Sequence, residues 1–133
     1  LVRLWGISRD LAPGRLRPTG LALALLNTAV GGELRRSDCS GAACAQLTAA
    51  WFRNGAQSTL ALVSGAPTAT RIDSGLPCQD PVSLRILDGS RAEANNETAV
   101  EVAIRDGQPV CRGSWQFDLP PYSLAVLQHG GRR

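Results

Sequence analysis

The stretch TGLALALLNTAV, residues 19–30, decides how the rest of the sequence is interpreted, because it is apolar on every side of a helix. A surface helix of a soluble protein shows one apolar stripe and one polar face. Pro18 stands where the first turn of a helix tolerates proline, and Gly31-Gly32 is a natural stop. The segment is too short to span a bilayer. We therefore predict a helix over residues 18–30 with apolar neighbours on two sides.

Two arrangements would satisfy such a helix. In the first, strands of the same chain cover one side, and a partner outside the chain covers the other. In the second, the domain wraps the helix completely. The sequence favours the first arrangement, but it leaves open whether Leu21 and Leu25 or Leu23 and Leu26 face the partner. Residues 1–8, LVRLWGIS, read as a strand already under way, as expected of a fragment or of a processed secreted chain.

After Cys44 the apolar residues alternate with a period of two, which is typical of strands. Asn54-Gly55 is a hairpin signal, and Asp106-Gly107 predicts a second turn. The fold class predicted is mainly β: an antiparallel β-sandwich of seven to eight strands preceded by one apolar helix. The strands are expected over residues 46–53, 58–63, 69–72, 82–87, 98–105, 110–119 and 123–128.

The composition excludes two classes of function. The chain has 133 residues, enough for one domain with a core, and a net charge of +3. All 14 basic residues are arginines that lie scattered, and the single Tyr and two Phe offer no stacking platform, so nucleic-acid binding is excluded. No segment is long and apolar enough to predict a membrane span.

The four cysteines, Cys39, Cys44, Cys78 and Cys111, lack the close pairs of a zinc site. Disulfides in an oxidising compartment fit better, and free buried thiols are the alternative. Four cysteines allow three pairings, of which we favour Cys39–Cys44 and Cys78–Cys111. No metal and no cofactor is predicted.

The ending DLPPYSLAVL, residues 118–127, resembles the last strand of the β-sandwich appended to several retaining glycoside hydrolases. The α-L-arabinofuranosidases and the heparanase-like β-glucuronidases are the families it is most similar to. By this resemblance, which extends over essentially the whole chain, RPTGLALALLNTAV (residues 17–30) corresponds to the last helix of their (β/α)8 barrel. Residues 4–7 then correspond to the eighth barrel strand.

The same resemblance implies that no catalytic residue lies in this chain. These hydrolases use two carboxylates about 5–5.5 Å apart, and both lie on earlier barrel strands that the chain does not contain. The 11 acidic residues of the chain lie mostly beside turns, and none forms an apolar-embedded pair. His129 precedes a Gly-Gly-Arg-Arg ending and is expected at a frayed terminus. Whether the chain counts as an enzyme is left uncertain.

Three residues are candidates for contact with substrate. Barrel enzymes bind ligands at the C-terminal ends of their strands, where Trp5, Arg9 and Asp10 would lie. Trp5 could stack on a sugar and Arg9 could pair with an acidic sugar; the alternative is that Trp5 is barrel core and Arg9–Asp10 a surface pair. Trp51 and Trp115 are expected in the sandwich core. Asn96-Glu97-Thr98 matches a glycosylation sequon, so Asn96 is a candidate attachment site.

The predicted organisation is a last barrel strand and helix in residues 1–32 and a C-terminal β-sandwich in residues 33–133. We expect a non-catalytic portion of a secreted glycoside hydrolase that packs on and stabilises a catalytic barrel, meeting carbohydrate through that partner. The alternative is an independent sandwich module that binds carbohydrate or a protein.

Overall fold

A computed structural model describes residues 8, 9, 12–89, 94, 96 and 101–131, and their side chains from residue 16 onward. Within these ranges there is one α-helix, α1 (Pro18–Ala29), and one short 3-10 helix (Ala42–Gln46). The described strands are β1 (Ser8–Arg9), β2 (Ala12–Leu16), β3 (Glu33–Arg35), β4 (Leu47–Asn54), β5 (Gln57–Ser64), β6 (Thr70–Asp73), β7 (Val82–Gly89), β8 (Val102–Gly107), β9 (Val110–Cys111), β10 (Trp115–Leu119) and β11 (Leu124–His129).

The strands form three antiparallel sheets. The largest has six strands in the order β3-β4-β5-β11-β7-β8, a second has the order β6-β10-β9, and β1 pairs with β2. The three-stranded sheet packs on one face of the six-stranded sheet, and α1 packs on the other. The predicted class, a mainly β sandwich preceded by one helix, is confirmed.

Two hydrophobic cores lie on opposite faces of the six-stranded sheet, because side chains alternate along each strand. In β11, Ala125 and Leu127 point toward the three-stranded sheet, while Leu124 and Val126 point toward α1. All four are buried, which explains why the sequence of this strand is apolar without interruption. Trp115 lies in the core between the two sheets, as expected, and Trp51 packs against its margin, partly buried.

The helix buries one side only. Leu25 is fully enclosed and Ala29 nearly so, both against the six-stranded sheet. Leu23, two positions before Leu25 and therefore on the far side of the helix, is 50% exposed. The side that carries Leu23 is thus turned away from the sheet. Leu26, which the sequence analysis grouped with Leu23, is instead partly buried and packs against the same core as Leu21 and Leu25.

Both disulfides are present with the pairing favoured from the sequence. Cys39 is bonded to Cys44 across the 3-10 helix, and Cys78 is bonded to Cys111 over a separation of 33 residues. The second bond joins β9 to the loop before β7. It therefore links an edge strand of the three-stranded sheet to the segment that precedes a strand of the six-stranded sheet.

The turn predicted at Asp106-Gly107 is wrong. Both residues lie inside β8, paired with Arg85 and Leu84 of β7, and the chain then passes to β9 in the other sheet. The glycine is needed for packing, since a Cβ at Gly107 would lie 2.6 Å from Leu84 Cδ2. The strand expected over residues 110–119 is two strands, β9 and β10, separated by a turn at Gly113.

Candidate functional site

The residues predicted near substrate stay predictions. Trp5 and Asp10 lie outside the described residues. Arg9 belongs to β1, whose backbone pairs with β2 opposite Ala12, and the β1–β2 hairpin is described without side chains.

A groove on the inner face of the sandwich is the candidate site among the described residues. It runs beside β6, over a floor formed by the inner side chains of β4 and β5, and under the loop that carries the Cys39–Cys44 disulfide. The floor is aliphatic except for Trp51, whose indole Nε1–H is buried without a hydrogen-bond partner in the described part of the chain. The floor residues are Leu47, Ala49, Trp51, Leu60 and Leu62.

The rim of the groove is polar, and Asp73 is its most organised group. Its carboxylate accepts hydrogen bonds from the Ser114 hydroxyl, from the Gly75 backbone N–H at 3.0 Å and from the Gln116 amide at 3.4 Å. These bonds stabilise the ionised form, so the pKa of Asp73 is held below its usual value, with the Ser114 bond as the largest cause. A carboxylate of this kind is a hydrogen-bond acceptor and is unsuited to act as a general acid.

A second surface, on the other side of the six-stranded sheet, is apolar. Leu34 of β3 is paired with Phe52 of β4, and Phe52 with Thr59 of β5. Directly paired residues share a face, so all three lie on the side that carries α1. Helix α1 covers the β5-β11-β7-β8 part of this face, and leaves large apolar side chains exposed beside and above it. We call this set the helix-side surface; it consists of Leu23, Val30, Leu34 and Val63, which are 50%, 66%, 65% and 47% exposed.

His129 does not lie at a frayed end, contrary to the sequence interpretation. It is the last residue of β11, pairs with Ser58 and Val82, and is 2% exposed. Neither ring nitrogen has a hydrogen-bond partner in the described part of the chain. Burial lowers the pKa of His129, and the positive charge of Arg53 lowers it further. The residue is therefore a neutral core histidine rather than a base open to substrate.

Asn96 is buried too, which opposes the expected glycosylation. Its Nδ2 donates to the carbonyls of Leu16 and Val102 at 3.1 and 2.9 Å, and its Oδ1 accepts from the backbone N–H groups of Glu101 and Val102. Glycosylation of Nδ2 would replace one of the hydrogens that donate these bonds. Because Asn96 is buried, the glycan would also have to pass between packed residues to reach solvent. Asn96 instead joins the start of β8 to Leu16, the last residue of β2.

Sequence reasoning missed the groove because its parts lie far apart along the chain. Asp73-Ser74-Gly75 was interpreted only as a turn, and Ser114 carried no signal of its own. No group of three metal-ligating side chains occurs among the described residues. Within the same ranges, no helix has the length and apolarity needed to cross a membrane.

No family model matches the sequence. No curated protein matches it either. Solved structures do match. The family 30 subfamily 8 xylanase Xyn30A of Clostridium acetobutylicum shares the fold over 95% of this chain, with a TM-score of 0.64 and 9% identity. A family 30 endoxylanase of Clostridium papyrosolvens C71 matches over 89% of the chain, with a TM-score of 0.61 and 14% identity.

The α-L-arabinofuranosidase of Thermotoga maritima matches over 65% of the chain, with a TM-score of 0.54 and 19% identity. The fold is that of a glycoside hydrolase β-sandwich. The resemblance predicted from the sequence is thereby confirmed at the level of fold. The chain covers only 31%, 29% and 19% of these three structures.

Proposed function

We propose that this chain is the non-catalytic C-terminal β-sandwich portion of a secreted glycoside hydrolase, and that it packs on and stabilises a catalytic (β/α)8 barrel. The observation that carries the proposal is the helix-side surface, together with the small share of the matched hydrolases that the chain covers. Those hydrolases are at least three times as long as the part that the chain matches, so a large partner domain is available to cover the surface.

The chemistry of the helix-side surface suits an apolar partner. Helix α1 carries no acidic residue in its first turn and no basic residue in its last turn. Leu23 lies on its outer side, and Val30 follows its last residue. Leu34 lies on β3, beyond the strands that the helix covers, and Val63 is exposed on β5. Several large apolar side chains exposed on one side of a soluble protein favour an interface there. The barrel is the occupant we infer, because the resemblance to retaining glycoside hydrolases implies one and the matched hydrolases are much longer than this chain.

The division of the chain follows from this proposal. Residues 1–32 would form the last barrel strand and helix, and residues 33–133 the sandwich. Support comes from the position of α1, which packs on the sandwich with Leu25 and turns Leu23 away from it. Trp5, Arg9 and Asp10 would then lie at the substrate end of the barrel. The two disulfides support secretion, since such bonds persist in oxidising compartments.

The test searches the genome beside this chain for a barrel-coding sequence and coexpresses it with residues 1–133. We expect residues 1–133 alone to release no product from xylan or nitrophenyl arabinofuranoside. Together with the barrel, they should form a complex that hydrolyses one of these two substrates. A Leu23→Asp, Leu34→Asp double variant should abolish the association while the sandwich stays folded. Val110→Asp is the matched control, because Val110 is 45% exposed but lies on the three-stranded sheet.

Three results would contradict the proposal: turnover by the isolated chain, the lack of any adjoining barrel sequence, or equal association of the double variant and the control. The groove beside β6 favours the second candidate, an independent module that binds carbohydrate or a protein. That candidate predicts retention of the isolated chain on insoluble xylan, and loss of retention when the groove is blocked.

A further inference from the structure

Tyr122 lies in the connection between β10 and β11 and has an unusual backbone conformation. Its φ is +49°, and it is the only non-glycine residue with a positive φ within the residues that the structure describes. A residue with a Cβ adopts this left-handed region at a cost, whereas glycine adopts it freely. Backbone strain of this kind is concentrated at sites where function requires a particular side chain.

Hydrogen bonds on both sides of Tyr122 hold its main chain in this conformation. The Tyr122 N–H donates to the Ala66 carbonyl at 3.2 Å, and the Ser64 N–H donates to the Ser123 carbonyl at 2.8 Å. The Ser123 hydroxyl donates to the Pro120 carbonyl at 2.6 Å. The two residues before Tyr122 are prolines, whose rings fix φ. The turn is therefore rigid.

The side chain of Tyr122 is 46% exposed, although Ser123 and Leu124, which follow it, are buried. A glycine at this position would form the same turn with less strain and would leave no aromatic ring at the surface. The turn itself does not require a ring. The fold thus holds an exposed tyrosine firmly in place at a position where glycine would be less strained.

Tyr122 and the start of α1 lie at the same end of the sandwich. The carbonyls of Leu16, two residues before α1, and Val102, the first residue of β8, accept hydrogen bonds from the same group, Asn96 Nδ2. Strands β8 and β11 both pair antiparallel with β7, so they begin at the same end of the sheet. Strand β11 begins two residues after Tyr122.

The other end of α1 agrees with this direction. Gln128 Nε2, near the end of β11, donates to the Thr28 carbonyl near the end of α1 at 2.7 Å. In a (β/α)8 barrel, each helix begins at the substrate-binding end, because it follows a strand whose C-terminal end lies there. With α1 as the last barrel helix, Tyr122 lies on the substrate side of the molecule.

We propose that Tyr122 is a sugar-binding residue of the sandwich, whose ring stacks on a saccharide unit of a polymeric substrate that extends beyond the barrel. This inference rests on the function proposed above. A tyrosine ring has an apolar face and a polar edge, which suits a sugar ring with C–H groups on its face and hydroxyls at its rim. Because the turn is rigid, little conformational freedom is lost on binding.

A sugar is favoured over the barrel itself as the partner of this ring. The β10–β11 connection crosses from the three-stranded to the six-stranded sheet, so Tyr122 lies at the end of the sandwich and outside the helix-side surface. A barrel seated on the helix-side surface is therefore expected to leave the ring accessible.

The binding test uses the full chain of 133 residues and two probes, xylohexaose and arabinohexaose. The chain contains a single tyrosine, so its ring protons can be followed by NMR without ambiguity. We expect one of the two probes to shift these signals saturably. Tyr122→Phe should keep this binding, and Tyr122→Ala should weaken it at least about fivefold, as expected for loss of a ring contact. Val110→Ala, at an exposed residue of β9, is the control and should bind as the parent does.

A second pair of variants separates strain from binding. Tyr122→Gly and Tyr122→Ala both remove the ring, but only glycine removes the strain of the positive φ. We expect the glycine variant to unfold at a higher urea concentration than the alanine variant, and both to lose binding of the sugar probe. Loss of binding in the glycine variant then cannot be attributed to loss of the fold.

Three results would overturn the inference: no shift with either hexasaccharide, equal binding by Tyr122→Ala and the parent, or loss of binding in Val110→Ala. Weaker association of Tyr122→Ala with a barrel, without any shift caused by sugar, would assign the ring to a contact between domains. Association with a barrel is measured separately from sugar binding, so failure of the proposed function is distinguishable. Sugar binding at Tyr122 in a chain that associates with no barrel would assign the ring to an independent module.

Discussion

Asn96 shows how one side chain can join two separate strands. The residue is 2% exposed and its amide makes four hydrogen bonds, which join Leu16 of β2 to Glu101 and Val102 at the start of β8. A buried amide whose partners are all main-chain groups cannot be removed without leaving those groups unsatisfied.

We expect Asn96→Ala to lower the free energy of unfolding by about 2–3 kcal/mol, since buried donors and acceptors lose their partner. Urea unfolding of the variant and the parent chain measures the difference. Asn27→Ala is the control, because Asn27 is exposed on α1. An equal effect of the two substitutions would contradict the role assigned to Asn96.

His129 makes stability depend on pH. Burial holds its pKa in the folded chain below the ordinary 6.5, so between these two values the unfolded chain binds more protons than the folded one. Stability contributed by the neutral ring is therefore complete above pH 6.5 and declines as the pH falls toward the folded pKa. We expect His129→Leu to flatten this decline in urea unfolding measured from pH 7.5 to 5. A parallel decline in parent and variant would show that other groups cause it.

At the scale of elements, the two disulfides close loops of very different length. The separation is 33 residues for Cys78–Cys111 and 5 for Cys39–Cys44. On the loop-entropy model, replacing Cys78 and Cys111 by alanine should lower the free energy of unfolding by about 3–4 kcal/mol. Replacing Cys39 and Cys44 should lower it by about 2 kcal/mol. Thermal or urea unfolding of the two double variants measures the order, and the reverse order would contradict the model for this chain.

Gly107 is fixed by its neighbour on the adjacent strand. Because a Cβ there would meet Leu84 Cδ2 at 2.6 Å, we expect Gly107→Ala to destabilise the fold by about 1–3 kcal/mol, as overpacking does. The matched control is Gly65→Ala, where the nearest atom to a new Cβ is 3.8 Å away. The urea unfolding midpoints of the two variants measure the difference in stability. If Gly107→Ala left the midpoint unchanged, β7 and β8 would have to separate easily to admit the methyl group.

The elements were predictable where a local pattern decides them. Alternation placed β4, β5, β7 and β11 within two residues of their bounds, and the all-round apolar stretch placed α1. Asp106-Gly107 failed because its turn composition was outweighed by packing against Leu84, a contact that depends on a partner strand. The groove could not be predicted, since Ala49, Asp73 and Ser114 meet only through the pairing of distant strands.

On the scale of the whole molecule, the chain is a stack of three layers with the six-stranded sheet in the middle. The strands β5, β11 and β7 of that sheet carry buried residues on both faces, whereas β3 and β9 lie at sheet edges and are exposed along their length. Stability is therefore expected to be distributed unevenly across the fold.

We expect the slowest amide exchange in β11, because it is paired on both sides and its residues Leu124 to Leu127 are all buried. The fastest exchange in described strands should occur in β3 and β9. Native-state exchange followed by NMR measures the order. Fast exchange in β11 would contradict the central position assigned to it.

The position of β11 also has a consequence for how the protein is made. This strand lies between β5 and β7, yet it is synthesised after every other described strand. While the polypeptide is emerging from the ribosome, the β3-β4-β5 half and the β7-β8 half of the large sheet can form but cannot be joined. Each half meanwhile exposes an unpaired strand that is prone to pair with other chains. The sheet can therefore be completed only after β11 has been synthesised, and a ribosome that stalls shortly before Leu124 would leave two half-sheets exposed to aggregation.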